Sequence, residues 1–92
     1  MSQLQRVQVI YSGYVQGVGF RFSARRIAQA AGVAGFVKNL SNGNVLLVGE
    51  GTRGQLESFI TDLTKRMSDH IGDSCVEWQT DTGEFETFEI RF

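Results

Sequence analysis

From residue 6 to 12, Val7, Val9 and Tyr11 alternate with polar neighbours, and Ile10 faces the other way. That period of two predicts a strand with one buried face. From 22 to 31 the spacing changes. Ala24, Ile27, Ala28 and Ala31 form an i, i+3, i+4, i+7 stripe, with Arg25, Arg26 and Gln29 outside it, which predicts a helix. Gly32 is a natural stop for it. A second strand is predicted over 35–40, and Ser41-Asn42-Gly43-Asn44 reads as a hairpin turn with Asn-Gly as its signal. The third strand covers 45–50, and Gly49-Glu50-Gly51-Thr52 is expected to break it. Leu56, Phe59, Ile60, Leu63 and Met67 then form one apolar stripe, with Thr52 and Gln55 as a capping box at its start. The pattern fails over 69–73, where Gly72 marks a loop. A fourth strand follows over 75–80, then a turn at 81–84, and Phe88, Ile90 and Phe92 alternate to the end.

The predicted order is β-α-β-β-α-β with a short final strand. That is the ferredoxin-like α+β plan: an antiparallel sheet of four to five strands with two helices on one face. Residues 1–92 read as a single domain. In this plan the first two strands are parallel and the third lies between them, so their C-terminal ends share one edge. Arg21 and Asn39 can therefore face one cavity, although they are far apart in sequence.

Arg21 closes the segment Gly13-Tyr14-Val15-Gln16-Gly17-Val18-Gly19-Phe20-Arg21, between the first strand and the first helix. Glycines there let the backbone bend and present its N–H groups. Successive amides, a helix N-terminus and a guanidinium make an anion site, and phosphate suits it best. Glycines in such a loop are, taken alone, more often mere turn residues. The arginine argues otherwise, because the helix dipole at that end disfavours a cation unless an anion is bound. Asn39, taken alone, is more often a turn or cap residue.

Composition narrows the classes. Nine Lys and Arg against ten Asp and Glu give a net charge of −1, and the isoelectric point is near 5.7. Neither suits a general nucleic-acid binder, so any phosphate site must be local. No apolar run approaches the ~18 residues of a membrane span, and no signal-peptide core stands at the N-terminus. A cytoplasmic protein is expected. Cys75 and His70 are the only residues of their kinds, which argues against structural zinc and an internal disulfide. Cys75 is expected to be a small core residue and His70 to be solvated. Ser12, Ser23 and Ser41 lie near the motif without an evident base partner.

Gly13-x-Val15-Gln16-Gly17-Val18-Gly19-Phe20-Arg21, then Gly35-Phe36-Val37-Lys38-Asn39, then Asn42-Gly43-x-Val45, resembles the acylphosphatase family. The likeness runs to the closing Phe88-Glu89-Ile90-Arg91-Phe92. It implies hydrolysis of the carboxyl–phosphate bond of acyl phosphates, without metal or cofactor, on a small-molecule substrate. Arg21 matches the family's phosphate-binding arginine and Asn39 the asparagine that orients the attacking water. Val15, Gln16, Gly17, Val18, Gly19 and Phe20 match its phosphate cradle. Asn42 stands where aspartate is common, and Gly19 where some members carry Phe.

Rival readings come from other classes. Ferredoxin-like domains also bind RNA through sheet aromatics, and Gly35-Phe36-Val37 faintly suggests that use. Acylphosphatase-like domains also occur inside larger hydrogenase-maturation proteins. This chain carries its own Met1 and ends where the fold ends, so a stand-alone monomer is expected, with neither nucleic acid nor membrane as partner. The last strand should run back toward the site and let the Phe92 carboxylate pair with Arg21. No pattern in the sequence reads the acyl part of a substrate.

Overall fold

The computed structural model describes residues 3–92. In chain order the elements are β1 (Leu4–Gly13), α1 (Phe20–Ala31), β2 (Ala34–Asn39), β3 (Val45–Thr52), α2 (Arg53–Arg66), β4 (Ile71–Thr80) and β5 (Phe88–Arg91). They build one sheet in the order β4-β1-β3-β2-β5. β1 pairs antiparallel with β3 and β4, and β2 pairs antiparallel with β3. β5 runs parallel to β2, so the sheet is mixed at that edge.

The two-residue period decides what each strand buries. Val7, Val9 and Tyr11 of β1, Val37 of β2, and Val45 and Leu47 of β3 are buried together. Phe20, Ala24 and Ala28 of α1 and Leu56, Phe59 and Leu63 of α2 close over them. Both helices therefore lie on one face, as the ferredoxin-like plan requires. The capping box forms as predicted: Gln55 N–H donates to the Thr52 hydroxyl, and Thr52 N–H donates to Gln55 Oε1.

Three local expectations are corrected. β3 is not broken at Gly49 but continues to Thr52. A Cβ on Gly49 would lie 3.0 Å from Val33 Cγ1 and 3.3 Å from Leu56 Cδ2. The glycine thus lets α2 and the end of α1's connection settle on an unbroken strand. β4 begins at Ile71, not at 75, because Gly13 and Ile71 pair beyond a register shift at Ser12/Gly13. Cys75 is exposed rather than core. It stands opposite Ile10, on the face without helices, in an edge strand that is mostly exposed.

The β4–β5 connection crosses that helix-free face. Glu50, 7% exposed on β3, accepts from Thr82 N (2.9 Å), Thr82 Oγ1 (2.8 Å), Gly83 N (3.0 Å) and Arg6 (3.1 Å). Phe85 packs on Phe36 at 5.8 Å between ring centroids, and the Arg91 guanidinium lies 4.2 Å from the Phe36 centroid. This clamp carries the chain from one edge of the sheet to the other. It delivers β5 beside β2, with Lys38 opposite Arg91. Among the described residues no helix is long and apolar enough to cross a membrane.

Candidate active site

Tyr11, near the end of β1, is level with Asn39, the last residue of β2, since both stand opposite Val45. Asn39 shares the helix side of β2 with Val37, by the alternation of side chains. α1 starts at Phe20, two residues earlier than the apolar stripe predicts. Phe20 explains the shift: it is buried in the core and its ring lies 5.0 Å from that of Tyr11. Arg21 is consequently inside the first turn of α1, held there by its neighbour's packing.

Gly17 and Gly19 take left-handed conformations, with φ of 76° and 78°. A side chain is strained in that region, which is why glycine stands at both positions. Gly19 caps α1 without a side-chain hydrogen bond, and no acidic residue stands in the first turn. The first intrahelical bond runs from Ser23 N–H to the Gly19 carbonyl at 3.0 Å. The amides of Phe20, Arg21 and Phe22 are therefore left without helical acceptors. With the dipole, they make the entrance of α1 suited to an anion.

A cavity of about 250 Å³ opens there, lined by Val15, Gly17, Gly19, Phe20, Arg21, Phe22 and Asn39. It brings Arg21 and Asn39 together with most of the expected cradle. A larger groove of about 410 Å³ runs between α1 and α2, past Arg26, Ile27, Asp62 and Arg66. Size does not decide between them. Only the smaller cavity combines unbonded helix-entrance amides with a guanidinium and a carboxamide.

Two expected cradle residues stand apart from the cavity wall. The Gln16 side chain turns to the β2–β3 hairpin, where Nε2 donates to the Leu40 carbonyl at 2.8 Å and the Asn44 carbonyl at 2.9 Å. Val18, at the outside of the loop, is exposed. The loop's other end is fixed by Tyr14 N–H, which donates to the His70 carbonyl at 2.9 Å. One wall residue was missed: Phe22. Its signal is that it is a large apolar side chain off the buried stripe of α1.

Asn39 and Asn42 separate into two kinds. Asn42 Oδ1 accepts from Asn44 N–H at 3.0 Å and so serves the turn. Asn39 Oδ1 is buried and bonds to no protein group. The expected pairing of the Phe92 carboxylate with Arg21 is corrected. No ion pair among the described residues includes Arg21, and its guanidinium lies 5.0 Å from the centroid of the Phe92 ring. Alternation along β5 accounts for the place of the ring. Arg91 packs on Phe36 over the helix-free face, so the next side chain, Phe92, turns to the helix side. Among the described residues no three His, Cys, Asp or Glu side chains gather as a metal site.

The chain matches the sequence profile of the acylphosphatase family over residues 7–90. It is 38% identical to the acylphosphatase of Roseiflexus sp. (strain RS-1) over 91 residues, 98% of each chain. It is 40% identical to that of Pelotomaculum thermopropionicum over 88 residues, 95% of this chain and 96% of the relative. Its fold superimposes on the acylphosphatase of Bacillus subtilis with a TM-score of 0.86 at 28% identity, covering 96% of this chain and 99% of that one. It also matches T. kodakarensis HypF with a TM-score of 0.75 at 29% identity, covering all of this chain but 12% of that one. By its match over nearly the whole sequence, the chain belongs to the acylphosphatase family.

Proposed function

We propose that this protein hydrolyses acyl phosphates to a carboxylate and inorganic phosphate, by direct attack of water on phosphorus. The reading is carried by one juxtaposition: Arg21 and Asn39, from different elements, line one cavity with the glycine loop. The phosphoryl group sits in the loop. Arg21 grips two of its oxygens with a planar fork, and the amides of residues 15–20 bind the rest. Asn39 holds a water in line with the scissile bond through its uncommitted carboxamide oxygen. The water oxygen bonds to phosphorus, the bond from phosphorus to the carboxyl oxygen breaks, and the carboxylate departs with its electrons. A water proton passes to a phosphate oxygen.

Few side chains suffice for this chemistry. The leaving carboxylate is stable near neutral pH, so no general acid is needed. Phosphoryl transfer asks chiefly for positioning and for charge stabilisation at the equatorial oxygens. Neither metal nor cofactor takes part, and the protein works as a monomer. The RNA-binding alternative is disfavoured because Phe36, the aromatic that suggested it, is packed under Phe85 and Arg91 rather than open to a base.

Hydrolysis of benzoyl phosphate in heavy-oxygen water tests the route. Label appearing in inorganic phosphate is expected. Label in benzoate would mean attack at the acyl carbon and would contradict the reading.

A further inference from the structure

Phe22 stands in the first turn of α1 and is 66% exposed, while its neighbours Phe20 and Ala24 are buried. Core packing therefore does not account for it. It lines the cavity beside Arg21 and Asn39, and the Arg25 guanidinium lies 5.5 Å from its ring centroid. Phe92, 93% exposed, meets the Arg21 guanidinium at 5.0 Å. Single exposed apolar residues are ordinary, but Phe22 stands in the cavity wall itself, and Phe92, outside that wall, lies against the guanidinium of Arg21, which is part of it. Two arginines whose own chemistry suits phosphate lie within cation–π distance of these rings, which keeps apolar surface at the mouth of the site.

We propose that Phe22 and Phe92 form an acyl-binding subsite that favours aromatic or bulky apolar acyl groups, a refinement that rests on the phosphate reading above. Every polar group of the cavity wall is engaged at the phosphate end: Arg21, Asn39 and the loop amides. No carboxylate and no lysine lines the cavity. A polar acyl group, such as a carbamoyl or aminoacyl group, would give up water against Phe22 and find no partner. An aromatic acyl group loses nothing there, covers exposed ring surface, and can take an offset or edge-to-face geometry. The phosphate end is common to all acyl phosphates, so the rim supplies the discrimination.

The test compares kcat/KM for benzoyl and acetyl phosphate in the unmodified protein, Phe22→Ser and Phe22→Leu. Phe22→Ser is expected to lower the benzoyl-to-acetyl ratio by about tenfold, the scale of a modest apolar contact, and Phe22→Leu to keep most of it. Comparing that ratio between the variants and the unmodified protein cancels the intrinsic reactivity of each substrate. An unmoved ratio, or equal losses for both substrates, would overturn the subsite. Binding of benzylphosphonate against methylphosphonate, neither of which is hydrolysed, gives a second readout. The benzyl compound should bind about tenfold more tightly, with that advantage lost in Phe22→Ser. If this preference holds while no acyl phosphate is turned over, the hydrolytic reading fails and the apolar subsite stands. If the two phosphonates bind alike, the subsite fails whatever the turnover.

Discussion

Gln16 is bound to Leu40 across the mouth of the site: its Nε2 donates to the Leu40 carbonyl at 2.8 Å. Leu40 directly follows Asn39, so one side chain from the glycine loop fixes the strand end that carries the carboxamide. The same amide group also reaches the Asn44 carbonyl at 2.9 Å, which fastens the loop to both sides of the hairpin. Gln16 thereby ties the glycine loop to the strand end that carries Asn39.

Replacing this tie should separate positioning from binding. In Gln16→Ala, kcat for benzoyl phosphate is expected to fall by about tenfold to a hundredfold, the scale of a small misplacement of reacting groups. Competitive inhibition by inorganic phosphate should change much less, because the loop amides and Arg21 remain. Steady-state kinetics with phosphate as inhibitor measures both. Unchanged kcat would show that the hairpin needs no such tether.

Glu50 makes stability depend on pH. Burial alone pushes its carboxyl up, but hydrogen bonds from Thr82, Arg6 and Gly83 together hold it below the ordinary carboxylate value. A group whose pKa is lower folded than unfolded stabilises above the ordinary range, and that contribution is lost as pH falls through the folded value. Glu50→Gln is expected to lose about 1–3 kcal/mol at neutral pH. The gap between the two proteins should shrink as pH drops below about 4. Urea unfolding at several pH values checks this, and a gap independent of pH would contradict it.

Tyr11 offers the opposite case. Its hydroxyl is buried without a protein partner in hydrogen-bonding geometry. Burial pushes it up to about 12, with Thr64 close enough to pull weakly the other way. Tyr11→Phe keeps the ring that packs on Phe20 and removes the orphaned hydroxyl. The variant should be more stable by about 1 kcal/mol in urea unfolding. A loss of that size would instead mean that the hydroxyl is satisfied within the core.

What the sequence made legible was local periodicity and its consequences. β1, β2, the Asn-Gly hairpin and α2 with its capping box each depend on residues close in sequence. The meeting of Arg21 with Asn39 followed from topology alone, because the third strand of this plan lies between the first two. Long-range pairing was not legible. β4 starts early because Gly13 pairs with Ile71, and Gly49 reads as a breaker until Val33 and Leu56 are seen lying over it. Cys75 reads as a small core residue by its type, yet its partner Ile10 lies on the uncovered face. Phe22 was passed over because the sequence does not separate an exposed phenylalanine from a packed one, and only the cavity beside it gives its exposure a meaning.

In the proposed reaction Asn39 places the water while Arg21 and the loop hold the phosphate. The most direct measurement is hydrolysis of benzoyl phosphate in EDTA by the unmodified protein and by Asn39→Ala, with phosphate binding measured on both. EDTA-resistant turnover is expected, falling at least about a hundredfold in the variant, while phosphate binds both proteins alike. Turnover that survives the substitution, or that EDTA abolishes in the unmodified protein, would contradict it.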